Sequence, residues 1–414
     1  MEKIVFHVDV NSAYLSWNAV WDLQHGKSLD LRTVPSIVGG DPESRHGIVL
    51  AKSIPSKKYG IKTGETLFSA LMKCPELKIV PPRYSMYLKA SDAMVEILRE
   101  YSPLIERYSI DECFLDMSHV QKKDAIKVAT ELKDRIHEEL GFTVNVGIST
   151  GKLLAKMASD FKKPNLVHTL YREEIEKKMW PLPVEDMFMV GPRTAEKLHK
   201  MNINTIGELA RANPQFLHAR FKKHGYMISC YARDIESSSV KNEGTIEMKG
   251  MGNSTTLPFD FTDRISCHNV LLSIGETLVP RLRDSGKLVK TVGIHIRYSD
   301  FSSSGIQRTL NFPSDSTSLL MATACSLFDE IWNKEPVRHL GISFSQLKDK
   351  NIEQLSLFKD GQAEKMKRMD QVIDMVRKNF GDDSLIRATF INSPVKAFSG
   401  GVVEKDYIFM NSHL

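Results

Sequence analysis

The chain has 414 residues, which at roughly 150 residues per domain divide into about two to four domains. Its 42% hydrophobic, 26% charged and 8% aromatic residues are those of a globular chain and exclude wholesale disorder, a collagen or a membrane bundle. The formal net charge of +5 is too mild to hold a polyanion by a bulk field, so any such partner has to be met by placed side chains and backbone amides.

Taken in chain order, Ile4–Val10 is a short apolar run with Asp9 near its end, a buried strand that delivers one carboxylate to a sheet edge. Asp9 also breaks the run as a signal peptide, and no apolar stretch approaches the roughly 18 residues of a membrane span. Five dispersed cysteines (Cys74, Cys113, Cys230, Cys267, Cys325) without a C-x-x-C pair point to a reduced, cytoplasmic chain with no zinc site. Tyr14, Trp17, Val20 and Trp21 give residues 14–25 helical spacing, and Thr33–Val38 and Gly47–Ala51 read as strands joined by the turn-rich Gly39–Glu43. A short helix within 60–82, ending at Pro81-Pro82, precedes a helix over Tyr84–Glu100 and a strand pair around Ile105–Asp116. A charged helix at 121–140, a strand at Thr143–Ser149 and a helix at Lys152–Phe161 complete a mixture without a βαβ repeat, so the class is α+β.

Residues 171–238 hold no convincing strand and read as a small helical domain, and the polar stretch 239–245 reads as a linker. Residues 246–347 spell β-α-β-β-α-β, the split βαβ of ferredoxin-like sheets. Its strands are Ile246–Leu257, Lys290–Tyr298, Ile306–Phe312 and Arg338–Ser345, with helices at about 263–284 and 316–333. Val292, Ile294, Ile296 and Tyr298 alternate with Thr291, Gly293, His295 and Arg297, which predicts one buried and one open polar face. Beyond 348 the chain is polar, with an apolar island at Leu355–Phe358 and a helix striped by Met366, Met369, Ile373, Val376 and Phe380. No element is predicted for the last thirty or so residues.

Four motifs bear on chemistry. Asp9-Val10-Asn11 ends the first strand, and Ser109-Ile110-Asp111-Glu112 lies in the later strand pair. A carboxylate within an apolar strand is costly unless paired or metal-bound. Three acids at one sheet edge suit two Mg2+ ions, which take carboxylate oxygens and substrate phosphates and clamp both oxygens of an in-line displacement. The plainer alternative is that Asp9 caps a turn and Asp111 or Glu112 pairs with a Lys or Arg. Lys162-Lys163-Pro164-Asn165, together with Lys57-Lys58, offers point charges to a triphosphate, or else a solvated basic face. Val190–Leu198 reads as the turn and second helix of a helix–hairpin–helix, with Gly191 permitting a positive-φ turn and the opening N–H groups donating to a DNA phosphate. Gln354-Leu355-Ser356-Leu357-Phe358 reads as a short docking motif, or as a tail folding back on its own domain. Gly39–Glu43 has a superficial likeness to the signature loop of diguanylate cyclases, but Pro42 favours a hairpin connection.

Asp9-Val10-Asn11 with Tyr14, Tyr108–Glu112, Val146–Ser149, Lys163-Pro164-Asn165, the hairpin near Gly191 and the split-βαβ segment follow one another in an order that resembles the Y-family (translesion) DNA polymerases, of the bacterial polymerase V-like or polymerase IV-like branch. The resemblance covers about residues 1–347 and implies a right-hand architecture. The palm would be 1–12 and 83–170, the fingers 13–82, the thumb 171–238 with its helix–hairpin–helix, the linker 239–245, the little finger 246–347 and the tail 348–414. It implies a DNA-directed DNA polymerase that adds dNTPs to a primer 3′-OH on primer–template DNA. Such an enzyme bypasses damaged bases with low fidelity and without proofreading, as part of the SOS response.

Asp9, Asp111 and Glu112 would then be catalytic and hold two Mg2+ ions, or Mn2+ in their place, with the Val10 carbonyl as a further ligand. Ser12, Ala13, Tyr14, Lys57 and Lys163 would bind the nucleotide, with Tyr14 as a steric gate against a ribose 2′-OH. Gly191, Arg193, Thr194, His295 and Arg297 would meet DNA, and Gln354, Leu355, Leu357 and Phe358 the bacterial sliding clamp. The chain is expected to be a monomer, cytoplasmic and nucleoid-associated, with no membrane contact. Ile54 and Lys57 stand where many members carry a Tyr and an Arg, which replaces a bidentate fork by a point charge, and Met189 stands at the usual first Gly of the hairpin. Two rivals are another two-metal enzyme on a palm-like fold, such as a nucleotide cyclase, and a catalytically dead DNA-binding accessory protein.

Overall fold

Strand β1 (Val5–Val10) is buried at every position, and its alternation separates two unlike faces. Phe6, Val8 and Val10 point one way, and His7 and Asp9 the other. Around it a five-stranded sheet is ordered β5-β6-β1-β7-β8, from Ile105–Arg107 (β5), Glu112–Asp116 (β6), Val144–Ser149 (β7) and Val167–Thr169 (β8). β1 is antiparallel to β6 and β7, with Asp9 opposite Glu112 on one side and opposite Asn145 on the other. The apolar face carries Phe6, Val8, Val10, Cys113, Leu115, Val144, Val146 and Ile148. It is covered by helices α4 (Tyr84–Tyr101) and α5 (Ala125–Leu140) through Met94, Leu98, Ala129, Leu132 and Ile136. Helix α6 (Lys152–Asp160) packs on β7 and β1, and Gly147 makes this possible, since a Cβ there would lie 1.9 Å from the Ala155 carbonyl oxygen.

Between β1 and α4 the chain forms helix α1 (Ala13–Gln24) and a three-stranded sheet, β3-β2-β4, of Ser36–Gly39 (β2), Val49–Lys52 (β3) and Lys78–Val80 (β4). The one-turn helix α2 (Ile54–Lys57) opens on Ser53, whose side chain accepts from the Ser56 N–H, and α3 (Leu67–Lys73) follows. Sequence periodicity misses β4, β8 and α2 because three or four residues carry no period.

Between β8 and residue 235 the described residues form five short α-helices and no strand: α7 (Ile175–Lys178), α8 (Pro192–His199), α9 (Ile206–Arg211), α10 (Pro214–Phe221) and α11 (Lys223–Ala232). Leu198, Ile206, Leu209, Leu217 and Ile228 share a core with Leu153, Leu154 and Met157 of α6. The turn before α8 corrects the sequence reading. Gly191 has φ −80°, an ordinary extended N-cap, while the left-handed residue is Met189 at φ +71°. Its backbone oxygen lies 3.0 Å from the His224 Nε2. The stretch read as a linker is held in its described part: Val240 is buried with Val5, Tyr108 and Phe114, and the Lys241 N–H donates to Glu106 Oε2 at 2.7 Å.

The computed structural model describes residues 3–40, 47–235, 238–242, 248–350, 361–391 and 393–399; the elements so far form one unit, and residues from 248 onward a second. The second unit holds β9 (Gly250–Phe261), α12 (Arg264–Asp284), β10 (Lys287–Tyr298), β11 (Ser303–Ser314), α13 (Thr317–Ile331) and β12 (Val337–Ser345). The antiparallel sheet is ordered β11-β10-β12-β9, so the last strand splits the β9–α12–β10 unit. Val292, Ile294, Ile296, Leu340, Ile342 and Phe344 face the two helices, while His295 and Arg297 lie exposed on the other side.

The segment after β12 departs most from expectation. A short β13 (Lys348–Asp349) pairs with β10, and α14 (Gly361–Phe380) turns Asp370 and Arg377 inward and Met366, Met369 and Phe380 outward. Charge pairing decides the orientation: Arg283 binds Asp374 at 2.5 Å, and Glu276 accepts from Arg377 at 2.6 Å and from Arg387 at 2.5 Å. Phe390 and Val395, from the stretch with no predicted element, enter the unit's core.

Candidate active site

The polar face of the first sheet ends in a pair of acids. Asp9 and Glu112 are cross-strand neighbours, and the Val10 N–H donates to the Asp111 carbonyl at 3.0 Å, which brings Asp111 alongside. Among the described residues each carboxylate is held by one side-chain donor. Lys163 Nζ binds Asp9 and also Asp160, the latter at 2.8 Å. Lys156 Nζ donates to Glu112 Oε1 at 2.6 Å, and Ser109 Oγ to Asp111 Oδ1 at 2.5 Å. Burial pushes the Asp9 carboxyl up to about 7; the Lys163 ammonium opposes this, and the nearby charges of Glu112 and Asp111 add to it. Glu112 is raised as well, by burial, against the pull of Lys156.

Among the described residues no three acids or histidines are gathered closely enough to enclose a metal ion. The donor set nonetheless fits an open site for a hard divalent cation. Two facing carboxylates, Asp9 buried and Glu112 half-buried, each held by a lysine ammonium group, are oxygen donors of the kind Mg2+ or Mn2+ takes together with substrate phosphates. The plainer reading of the acids is therefore half realised, since Glu112 does pair with a lysine.

Beside this pair a cleft of about 490 Å3 is lined by Ser12, Arg32, Ile54, Lys57, Lys163 and others. Ser12, at φ +50°, opens α1, which has neither a side-chain cap nor an acid in its first turn, so the positive end of the helix is not offset by a local carboxylate. Lys57 and Lys163 come from segments more than a hundred residues apart and meet on this cleft, as the sequence reading expects of a polyanion site. Ala13 is buried and Tyr14 half-buried. The Tyr14 ring stacks on Tyr87 at 4.7 Å, and the Tyr87 hydroxyl accepts from Asn18 Nδ2 at 2.5 Å.

Several residues escaped the sequence reading. Arg32 lines the cleft, but its guanidinium is engaged by Asp30 and donates to the Gly141 carbonyl at 2.7 Å. Asn11 accepts from the Asn165 N–H at 2.8 Å and donates to Asn145, whose own amide donates to the Lys162 carbonyl at 2.7 Å, so the loop bearing Lys163 is pinned to the strand ends. Asn11 was legible as the end of the Asp9-Val10-Asn11 motif, and Asn145 only as a polar residue inside an apolar strand. Lys152 and Lys156 look like a basic helix face, yet both are buried and spent on Glu106 and Glu112. Tyr87 gave no signal beyond its helical spacing.

Gly191, Arg193 and Thr194 stand at the start of α8, where a Cβ on Gly191 would meet open space. His295 lies in a shallow groove of about 410 Å3 on the open sheet face of the second unit, with His339, Gly341 and Ser343, and Arg297 lies next along its strand. Gln354, Leu355, Leu357 and Phe358 lie outside the described residues. No described helix is long and apolar enough to cross a membrane.

Comparison with known proteins bears on this geometry. Residues 8–160 match the impB/mucB/samB family, residues 172–203 the HHH motif of that family, and residues 248–357 its C-terminal domain. The chain is 45% identical to the DNA polymerase IV of Clostridium acetobutylicum over 96% of its own length and 100% of that protein's. It is 34% identical to DNA polymerase IV 1 of Bacillus subtilis, over 98% and 97%. Among solved structures, a Y-family DNA polymerase chimera of Dbh and Dpo4 shares the fold at a TM-score of 0.72 and 22% identity, covering 84% of this chain and 99% of that one. The chain belongs to the impB/mucB/samB family, that of the Y-family translesion DNA polymerases.

Proposed function

We propose that the chain is a DNA-directed DNA polymerase of the translesion type, which adds dNTPs to a primer 3′-OH on primer–template DNA. The observation that carries this reading is the pairing of Asp9 with Glu112 at one sheet end, beside a cleft furnished by Lys57 and Lys163. Asp9, Asp111 and Glu112 would hold Mg2+, or Mn2+ in its place, with the Val10 carbonyl. The bound cations would stabilise the charge that builds on the attacking and leaving oxygens.

The chain's own residues do the rest. Lys57, Lys163 and the amides at Ser12 and Ala13 hold the triphosphate, and Tyr14, backed by Tyr87, limits the room beneath the sugar. Gly191, Arg193 and Thr194 hold a DNA phosphate without reading sequence, while His295 and Arg297 track the backbone from the open sheet. A small fingers sheet gives little shape checking, and discrimination limited to a few kcal/mol suits damaged templates and low fidelity without proofreading. Residues 354–358 would tether a monomeric, cytoplasmic and nucleoid-associated enzyme to the sliding clamp, raising its effective concentration on DNA during the SOS response.

Incubation with primer–template, dNTPs and Mg2+ tests the reading. Primer extension, on undamaged and damaged templates, is the expected result; a cyclic nucleotide product without extension would transfer the fold to the cyclase reading. Tyr14→Ala should admit ribonucleotides, and unchanged sugar selectivity would remove the gate.

A further inference from the structure

His7 precedes Asp9 by two residues on the same face of β1, is fully buried, and is not used by the mechanism above. Its Nδ1 lies 2.8 Å from Ser159 Oγ, and its ring packs against Phe114 at 4.6 Å. Its Nε2 has no hydrogen-bond partner, although it is sealed from water. It points toward Glu112 Oε2 at 3.9 Å, just beyond hydrogen-bond length, while Lys156 holds the other Glu112 oxygen at 2.6 Å. An unpaired nitrogen in a sealed polar pocket is costly, and the carboxylate it faces is the one a cation would take from Lys156.

We propose that His7 is a positioning residue for Glu112: once a divalent cation replaces Lys156, the carboxylate turns and Oε2 accepts a hydrogen bond from His7 Nε2–H. The Ser159 hydroxyl fits either tautomer. It accepts from Nδ1–H while donating to the Lys156 carbonyl at 2.8 Å, or it turns and donates to Nδ1, leaving the proton on Nε2. Ligating carboxylates are themselves hydrogen-bonded in settled metal sites, and such outer partners set affinity. The inference rests on the reading of Glu112 as a cation ligand.

The test is Mn2+ binding to the full chain with a dideoxy-terminated primer–template and matching dNTP, followed by electron paramagnetic resonance of the free ion. Asn at position 7 reproduces the Nδ1 contact to Ser159 but offers nothing at Nε2, whereas Gln reaches the Nε2 position. His7→Asn and His7→Phe should weaken Mn2+ binding about 10- to 100-fold, and His7→Gln should stay within a few-fold of the unaltered protein. Equal affinity in His7→Asn and the unaltered chain, or a loss in His7→Gln matching that in His7→Asn, would overturn the inference. Glu112→Gln separates the two levels. If it binds Mn2+ as the unaltered chain does, the cation reading of Glu112 fails and the role of His7 with it; if it loses binding while His7→Asn does not, only the role of His7 fails.

Discussion

Asp9 was legible because an acid in a run as apolar as Ile4–Val10 has to be compensated, and the same logic reached Asp111 and Glu112. What compensates them was not legible: the pairing of Lys163 with Asp9 and of Lys156 with Glu112 depends on how α6 and the loop after it return to the sheet. His7 and Tyr87 were invisible for a related reason, since a buried ring on an apolar element looks the same whether it fills space or supports a neighbour. The Asp9 carboxyl, raised by burial from an ordinary 3.8 to about 7, has a consequence for stability. The folded chain binds a proton there that the unfolded chain releases, so without metal the ionised group costs stability above neutral pH, and the cost fades as pH falls toward 4. Asp9→Asn, which resembles the protonated form, should therefore be more stable than the unaltered chain at pH 8 in chelator, by up to about 4 kcal/mol, with the gap closing toward pH 4. Urea unfolding at several pH values checks this, and a gap that does not change with pH would contradict it.

Elements with a full period were placed within a few residues by sequence, as α1, α4, α5, α12 and β10 show. Those that tertiary contacts define were not. β4 and β8 are three residues long, and the inward face of α14 is charged, because Arg283 and Glu276 await Asp374 and Arg377. Of the stripe Met366, Met369, Ile373, Val376 and Phe380, Ile373 and Val376 are half-buried while Met366, Met369 and Phe380 are exposed. The segment 239–245 was read as a linker from its polarity, yet Glu106, buried with Lys152, anchors its described part through the Lys241 N–H. Lys152 donates to Glu106 at 2.8 Å with both side chains almost fully enclosed. Lys152→Ala leaves the buried Glu106 charge without its lysine, and should cost about 3–5 kcal/mol of unfolding free energy in denaturant titration. Replacing both residues by apolar ones of similar size should cost far less, and equal losses would show that packing rather than charge holds the anchor.

At the scale of the whole molecule, the β-α-β-β-α-β order and the mixed first unit were readable, and so was the family. The way the described residues after 361 build onto the second unit was not, because the contacts of Phe390 and Val395 have no local signature. A net charge of +5 spread over 414 residues leaves DNA binding to placed contacts. Affinity for primer–template should accordingly fall linearly on a log–log plot against salt, and Arg193→Ala or Arg297→Ala should each lower the slope by about 1 without changing sequence preference. A slope unaffected by both would place the DNA elsewhere.

The central claim is that two facing carboxylates beside a lysine-lined cleft carry nucleotidyl transfer. Single-turnover extension of a primer by one nucleotide, across a range of Mg2+ concentrations, tests it most directly in the unaltered chain, Asp9→Asn and Glu112→Gln. Each variant is predicted to lose more than the roughly hundredfold that outer partners of a metal site account for, at every Mg2+ concentration. Extension by either variant at a rate within a few-fold of the unaltered chain would contradict the account.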